Sequence, residues 1–169
     1  PCRVRPLDLF PVNDLKSVWV LKIARPFAAW DIVSIFNWTG QPVTAAVRFA
    51  DLGLDEGGRF LVFDFWEHKF RGVFSNLLTA RIAPHSNALL AVHPDLGRPQ
   101  FLSTDRHLTQ GATCLSALGW SPARGVLRGA TELVAGHTQR LFFHVPAGFR
   151  FKAAGARGAQ ASAALKGRL

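Results

Sequence analysis

Residues 30–38, Trp-Asp-Ile-Val-Ser-Ile-Phe-Asn-Trp, carry apolar side chains on both parities of an extended strand. Trp30, Ile32, Phe36 and Trp38 fall on one side, with Ser34 as the polar break, and Val33 and Ile35 fall on the other. Successive side chains of a strand point to opposite faces, so this strand needs cover on both. A chain that contains it must stack layers of sheet. Its neighbours read the same way. Residues 17–23 are rich in β-branched and aromatic types, and residues 42–49 alternate, with Val43, Ala45, Val47 and Phe49 inward and Thr44 and Arg48 outward. The short Trp-Thr-Gly-Gln-Pro link between the runs 30–38 and 42–49 predicts a hairpin.

Further short strands are expected over residues 60–65, 69–74, 77–82 and 88–93, with Thr79 and Arg81 facing out. Residues 51–58 form a turn cluster, and Gly57-Gly58 is an ordinary turn element rather than a phosphate loop. Residues 94–110 read mostly as loop. Strands resume at 112–118, 125–128, 131–134, 139–145 and 149–153. No segment sustains a 3.6-residue apolar period with caps, so little helix is expected. The fold class is all-β, an antiparallel β-sandwich. Residues 1–153 read as that one domain. Residues 154–169, mostly Ala, Gly, Arg and Lys, read as a flexible low-complexity tail, with a weak helix over 159–166 as its only candidate element.

At 49% hydrophobic and 18% charged, the composition is that of a folded domain. The chain starts at Pro1 and has no Met, as expected of a piece of a longer polypeptide or a processed product. No apolar run approaches the roughly 20 residues that span a bilayer, so no membrane partner is expected. No basic-then-apolar leader precedes the first strand, and the compartment stays open. The net charge of +9 raises the question of nucleic acid. After Trp120 there are eight basic residues and one acid, Glu132, so seven of the nine net charges lie there. They are scattered singly, with no basic helix and no recognisable nucleic-acid motif, which reads as solvated Arg and Lys with no nucleic-acid partner. Cys2 and Cys114 make no disulfide framework, and Cys114 reads as a small buried hydrophobe.

Hydrolysis of a glycosidic bond needs two carboxylates at a set separation. Asp64 and Glu67 flank Trp66, but residues three apart at a strand end are poorly placed to face each other across such a bond. They read as a turn, with Asp64 accepting backbone hydrogen bonds and Glu67 pairing with His68 or Lys69. Asp105-Arg106-His107 lacks the geometry of a catalytic relay, because adjacent Asp and His cannot orient one another. The six His show no ligand spacing, so neither a metal nor a cofactor is expected. Trp19, Trp30 and Trp120 lie within strand runs and read as core. Trp38 and Trp66 lie at strand ends beside polar residues and are the candidates for touching sugar or another domain.

An ordered series of segments resembles the region that follows the catalytic barrel in melibiase-type α-galactosidases and related glycoside hydrolases. It comprises Arg5-Pro-Leu-Asp-Leu-Phe10, Arg25-Pro-Phe27, Trp30-Asp31, Val33-Ser-Ile-Phe-Asn-Trp-Thr39, Phe63-Asp-Phe-Trp66, Leu102-Ser-Thr-Asp-Arg-His-Leu-Thr-Gln-Gly111 and Phe143-His-Val-Pro146. The resemblance implies a non-catalytic C-terminal sandwich that packs on the barrel of the same polypeptide and stabilises it, with its last strands lying beyond this chain. The parent's reaction would be hydrolysis of a terminal α-linked sugar such as galactose. In that family the catalytic carboxylates sit on the barrel, and no segment here matches them, so no catalytic residue is assigned. Candidate sugar or domain-interface contacts are Trp38, Trp66, Asp105 and His107. Residues 7–10 and 103–110 are the expected docking face. The alternative is an independent carbohydrate-binding module, which exposed Trp38 and Trp66 beside a groove would favour.

Overall fold

The computed structural model describes residues 3–7 and 17–165. Twelve strands are present among them: β1 (Val4–Pro6), β2 (Val18–Arg25), β3 (Ala28–Asn37), β4 (Val43–Arg48), β5 (Arg59–Asp64), β6 (Lys69–Ser75), β7 (Leu77–Ile82), β8 (Ser86–Pro94), β9 (Gln100–Thr104), β10 (Leu115–Ser121), β11 (Val126–Thr131) and β12 (Leu141–His144). A single turn of 3-10 helix, Pro122–Arg124, joins β10 to β11. The all-β, antiparallel fold class is the one expected.

The centre is a six-stranded antiparallel sheet in the order β1-β2-β3-β8-β5-β6. Alternation sorts its side chains onto two faces. Val33, Ile35, Phe60, Val62, Ala88, Leu90 and Val92 pack on one face against Val47, Phe49, Leu78, Ala80 and Ile82 from the β4–β7 ribbon and its flank. Trp30, Ile32, Leu61, Phe63, Leu89 and Ala91 pack on the other face against Leu102 of β9, with Phe142 of β12 alongside. β3 is thus buried on both sides, as its sequence requires. Each fully buried Val, Leu, Ile or Phe contributes about 1.5–3 kcal/mol. The pairings are nested: the β5–β6 hairpin lies inside the β4–β7 pair, which lies inside the β3–β8 pair.

The expected hairpin between β3 and β4 does not form. β3 pairs with β2 and β8, and β4 pairs with β7 in the other layer. Residues 38–42 carry the chain from one layer to the next, held by the Asn37 side chain. The expected loop over 94–110 contains β9, every residue of which is buried. β10 starts three residues later than expected, because residues 108–114 are turns in which Gln110 and Gly111 adopt positive φ. The run 125–128 falls in β11 from Val126 onward, and that strand continues to Thr131, whereas residues 132–134 of the expected run 131–134 form no strand. Residues 149–153 form no strand, since no described strand pairs with them; Phe149 instead packs edge-on against Trp120, centroids 5.6 Å apart. Residues 159–165 show no helix. Trp120 is therefore half-buried on an outlying ribbon rather than core. Cys114 is free and half-buried, with Gln139 Nε2 3.2 Å from its sulfur. Leu7 packs against the core, while the rest of the expected 7–10 docking segment lies outside the described residues.

Candidate functional site

Trp38 follows β3 where β8 begins, and Trp66 follows β5, whose last residue Asp64 lies opposite Leu90 in the middle of β8; both tryptophans are exposed. At the end of β3, the Asn37 side chain is buried and fully used. Its Nδ2 donates to the carbonyls of Gln41, Ile82 and Ala83 at 2.7, 3.2 and 2.9 Å, and its Oδ1 accepts from the Thr39 backbone N–H at 3.0 Å. This amide ties the end of β3 to the turn between β7 and β8, and so fixes the backbone that carries Trp38. The Trp38 ring lies parallel to Phe36, centroids 4.9 Å and planes 4° apart, yet the residue is 43% exposed. Beside the two rings is an open cleft of about 280 Å³, lined also by Asn37, His85, Ser86 and Asn87. His85 holds φ at +49°, a left-handed value that a non-glycine residue adopts rarely.

Trp66 sits at the tip of the β5–β6 hairpin and is 53% exposed, edge-on to Phe65 at 5.0 Å. Asp64 Oδ1 accepts from the backbone N–H groups of Trp66 and Glu67 at 3.1 and 3.2 Å, which closes the turn. Glu67 pairs with Arg71 at 3.1 Å, not with His68 or Lys69, because the hairpin turns the chain so that Arg71 returns alongside it. Burial raises the Asp64 carboxyl above its ordinary range, against the lowering effect of the Glu67 N–H and Arg71.

Asp105 and His107 lie in the loop after β9. Asp105 Oδ1 accepts from the Arg140 backbone N–H at 2.9 Å, which pins the loop to the start of β12. His107 Nδ1 accepts from the Thr109 N–H at 3.2 Å. Neither residue lines the Trp38 cleft, nor does Trp66. The structure therefore brings the four candidates to three separate places. Among the described residues, no three His, Cys, Asp or Glu side chains gather as a metal site, and no helix is long and apolar enough to cross a membrane.

Three polar residues that sequence reasoning did not single out turn out to be buried and structural. His93 is sealed between Trp30 and Phe101, and its Nε2 lies 2.7 Å from the Leu102 carbonyl. Loss of water pushes its pKa down to about 4. Gln110 is fully buried with φ +50°, accepting from Ser103 Oγ at 2.8 Å. Asn37 is the third. Its signal was a polar residue ending an otherwise apolar strand; His93 and Gln110 had no local signal.

Comparison with solved structures finds partial overlaps. A GH27 β-L-arabinopyranosidase from Geobacillus stearothermophilus overlaps at 24% identity over 57% of this chain and 20% of its own, TM-score 0.47. Alpha-galactosidase I from Mortierella vinacea overlaps at 17% identity over 54% of this chain and 23% of its own, TM-score 0.42. An isomalto-dextranase from Arthrobacter globiformis T6, complexed with panose, overlaps at 33% identity over 50% of this chain and 14% of its own, TM-score 0.38. The chain thus spans less than a quarter of each of these proteins. A comparison with curated proteins finds no match. Trp38, Trp66 and His85 fall inside the stretch that matches a family model, and Asp105 and His107 fall outside it. That stretch, residues 23–92, matches the alpha galactosidase C-terminal beta sandwich domain, so the resemblance read from the sequence stands over the part of the chain that builds most of the central sheet.

Proposed function

We propose that this chain is an accessory β-sandwich of a glycoside hydrolase, and that it packs on the catalytic domain of the same polypeptide and stabilises it. The observation that carries the reading is the family match over residues 23–92, which coincides with strands β3 to β8 and their two buried faces. The parent reaction would be hydrolysis of a terminal α-linked sugar, with the catalytic carboxylates supplied outside this chain. The carboxylates weighed from the sequence fit that division of labour. Asp64 closes a turn and pairs with Arg71, Glu67 pairs with Arg71, and Asp105 holds a loop to β12.

Reading the gene on both sides of this coding region tests the proposal directly. A catalytic barrel encoded in the same frame is expected. The whole polypeptide is then expressed with and without residues 1–165. Removal should lower the melting temperature of the remaining catalytic domain and expose it to proteolysis. A gene with no catalytic domain, or a catalytic domain equally stable alone, overturns the reading.

A further inference from the structure

We propose that the cleft beside Trp38 binds a single ring of a neutral sugar. The inference goes beyond the accessory-domain reading and does not depend on it. A pyranose presents an apolar face of C–H groups and a rim of hydroxyls. A site for it needs a flat aromatic surface held at a fixed angle, with polar groups at the edge.

The end of β3 supplies the surface. The Trp38 ring stacks on Phe36, with planes 4° and centroids 4.9 Å apart, so Phe36 backs the indole and the exposed part of Trp38 is the apolar surface on offer. A solvent-facing indole would ordinarily turn about its side-chain bonds. Here its backbone is fixed by Asn37, whose amide reaches three carbonyls across the turn, and its ring is held by Phe36. The ordering cost of presenting the ring is therefore met in folding rather than in binding. The rim is supplied by the turn that opens β8. His85 and Ser86 are exposed there and line the same cleft. Asn87 Nδ2 donates to Ser34 Oγ, which fixes the amide at the floor. The left-handed φ of His85 lets the turn reverse at this point and carries its imidazole to the cleft edge.

Charge narrows the class of ligand. None of the six lining residues is Asp, Glu, Lys or Arg. A uronate or sulfated sugar would find no counter-ion, whereas an uncharged sugar loses nothing by that. Size narrows it further. At about 280 Å³ the cleft falls at the small end for ligand sites, below the roughly 300–1,000 Å³ of drug-sized pockets. It is also open on one side, so one ring fits and the rest of a glycan would extend into solvent.

The test uses the 169-residue chain and three neutral probes, D-galactose, L-arabinose and D-glucose. Each is titrated while the five indole N–H signals are followed by NMR. The Trp38 signal is assigned by its absence in Trp38→Phe. The expected result is a saturable shift of that signal with at least one probe, at a Kd in the millimolar range. Binding of the responsive probe is then read on the sugar itself by saturation-transfer NMR, which does not need the Trp38 signal: Trp38→Ala should abolish it, His85→Ala should weaken it several-fold, and Trp66→Ala should leave it unchanged. Melting curves of each variant separate loss of the site from loss of the fold, and His85→Ala serves where Trp38→Ala fails to fold. No saturable shift with any probe, or sugar binding that survives Trp38→Ala or is lost only in Trp66→Ala, overturns the proposal.

Discussion

The indole of Trp30 and the imidazole of His93 are stacked, with centroids 5.5 Å apart and planes 15° apart, and both residues are almost fully buried. This pair, capped edge-on by Phe101, closes the second face of the sheet. Its chemistry makes the stability of the domain depend on pH. The folded pKa of His93 is about 4, below the ordinary 6.5. The unfolded chain therefore binds a proton in a range where the folded chain does not. The contribution is fully present above pH 6.5, falls as pH drops through the window between 6.5 and 4, and levels off below. A shift of this size corresponds to a loss on the order of 3 kcal/mol. Urea denaturation between pH 7.5 and 4 should show the decline, and His93→Gln should flatten it. An identical slope in the variant would assign the pH dependence to other groups.

Trp30 itself should be sensitive in a particular way. Its Nε1 is buried without a hydrogen-bond partner among the described residues, so the indole contributes packing while its N–H adds a cost. Trp30→Ala is expected to lose about 3–5 kcal/mol. Trp30→Phe removes the unpaired N–H along with some volume and should lose less than half of that. Trp66→Ala, at a residue more than half exposed, should change stability by less than about 1 kcal/mol. Equal losses in Trp30→Phe and Trp30→Ala would show that the unpaired N–H carries no measurable cost.

Asn37→Ala should cost about 2–4 kcal/mol, because it leaves buried carbonyls without a donor. Asn37→Asp should be worse at neutral pH, since it sets a carboxylate oxygen against the carbonyls of Gln41, Ile82 and Ala83. The denaturation midpoints of the two variants at pH 7 provide the check. An aspartate variant at least as stable as the alanine variant would mean that the amide does not hold the turn.

Gly111→Ala meets two separate obstacles. A Cβ there would lie 2.7 Å from the Phe101 ring, and the backbone φ of +112° disfavours any L side chain. A loss of about 2–4 kcal/mol is expected. Phe101→Leu should relieve only the steric part. In a double-mutant cycle the two changes should couple, with a remainder owing to the backbone. Full recovery in the double variant would assign the whole effect to the ring contact.

Strand positions were largely legible because period-2 alternation is local, and Leu77–Ile82 shows how well it works: Thr79 and Arg81 face out and Leu78, Ala80 and Ile82 face in. What alternation cannot say is which strand pairs with which. β3 and β4 looked like a hairpin because a turn-rich link joins them. The layer change there depends on Asn37 meeting Ile82 and Ala83, more than forty residues away in sequence. β9 was hidden for a related reason. Gln100, Ser103 and Thr104 look like loop residues, yet they are buried because partners satisfy them: Gln100 takes the Leu96 N–H and the Pro94 carbonyl, and Ser103 takes Gln110. The candidate site was half legible. Trp38 was read as a strand-end aromatic, but the cleft beside it comes from the turn before β8, and no local pattern brings His85 and Ser86 to it.

The nested pairing of the strands sets an order of assembly. A sheet built from distant strands should close slowly, because long loops must be ordered before their contacts form. Here the β5–β6 hairpin closes a loop of only a few residues at Asp64–Lys69, and each closure brings the next pair nearer: first β4 to β7, then β3 to β8. The chain can zip from the inside outward without a single large search. Changes at the inner turn, such as Asp64→Ala, should therefore slow folding, while changes at the outer seam, such as Asn37→Ala, should mainly speed unfolding.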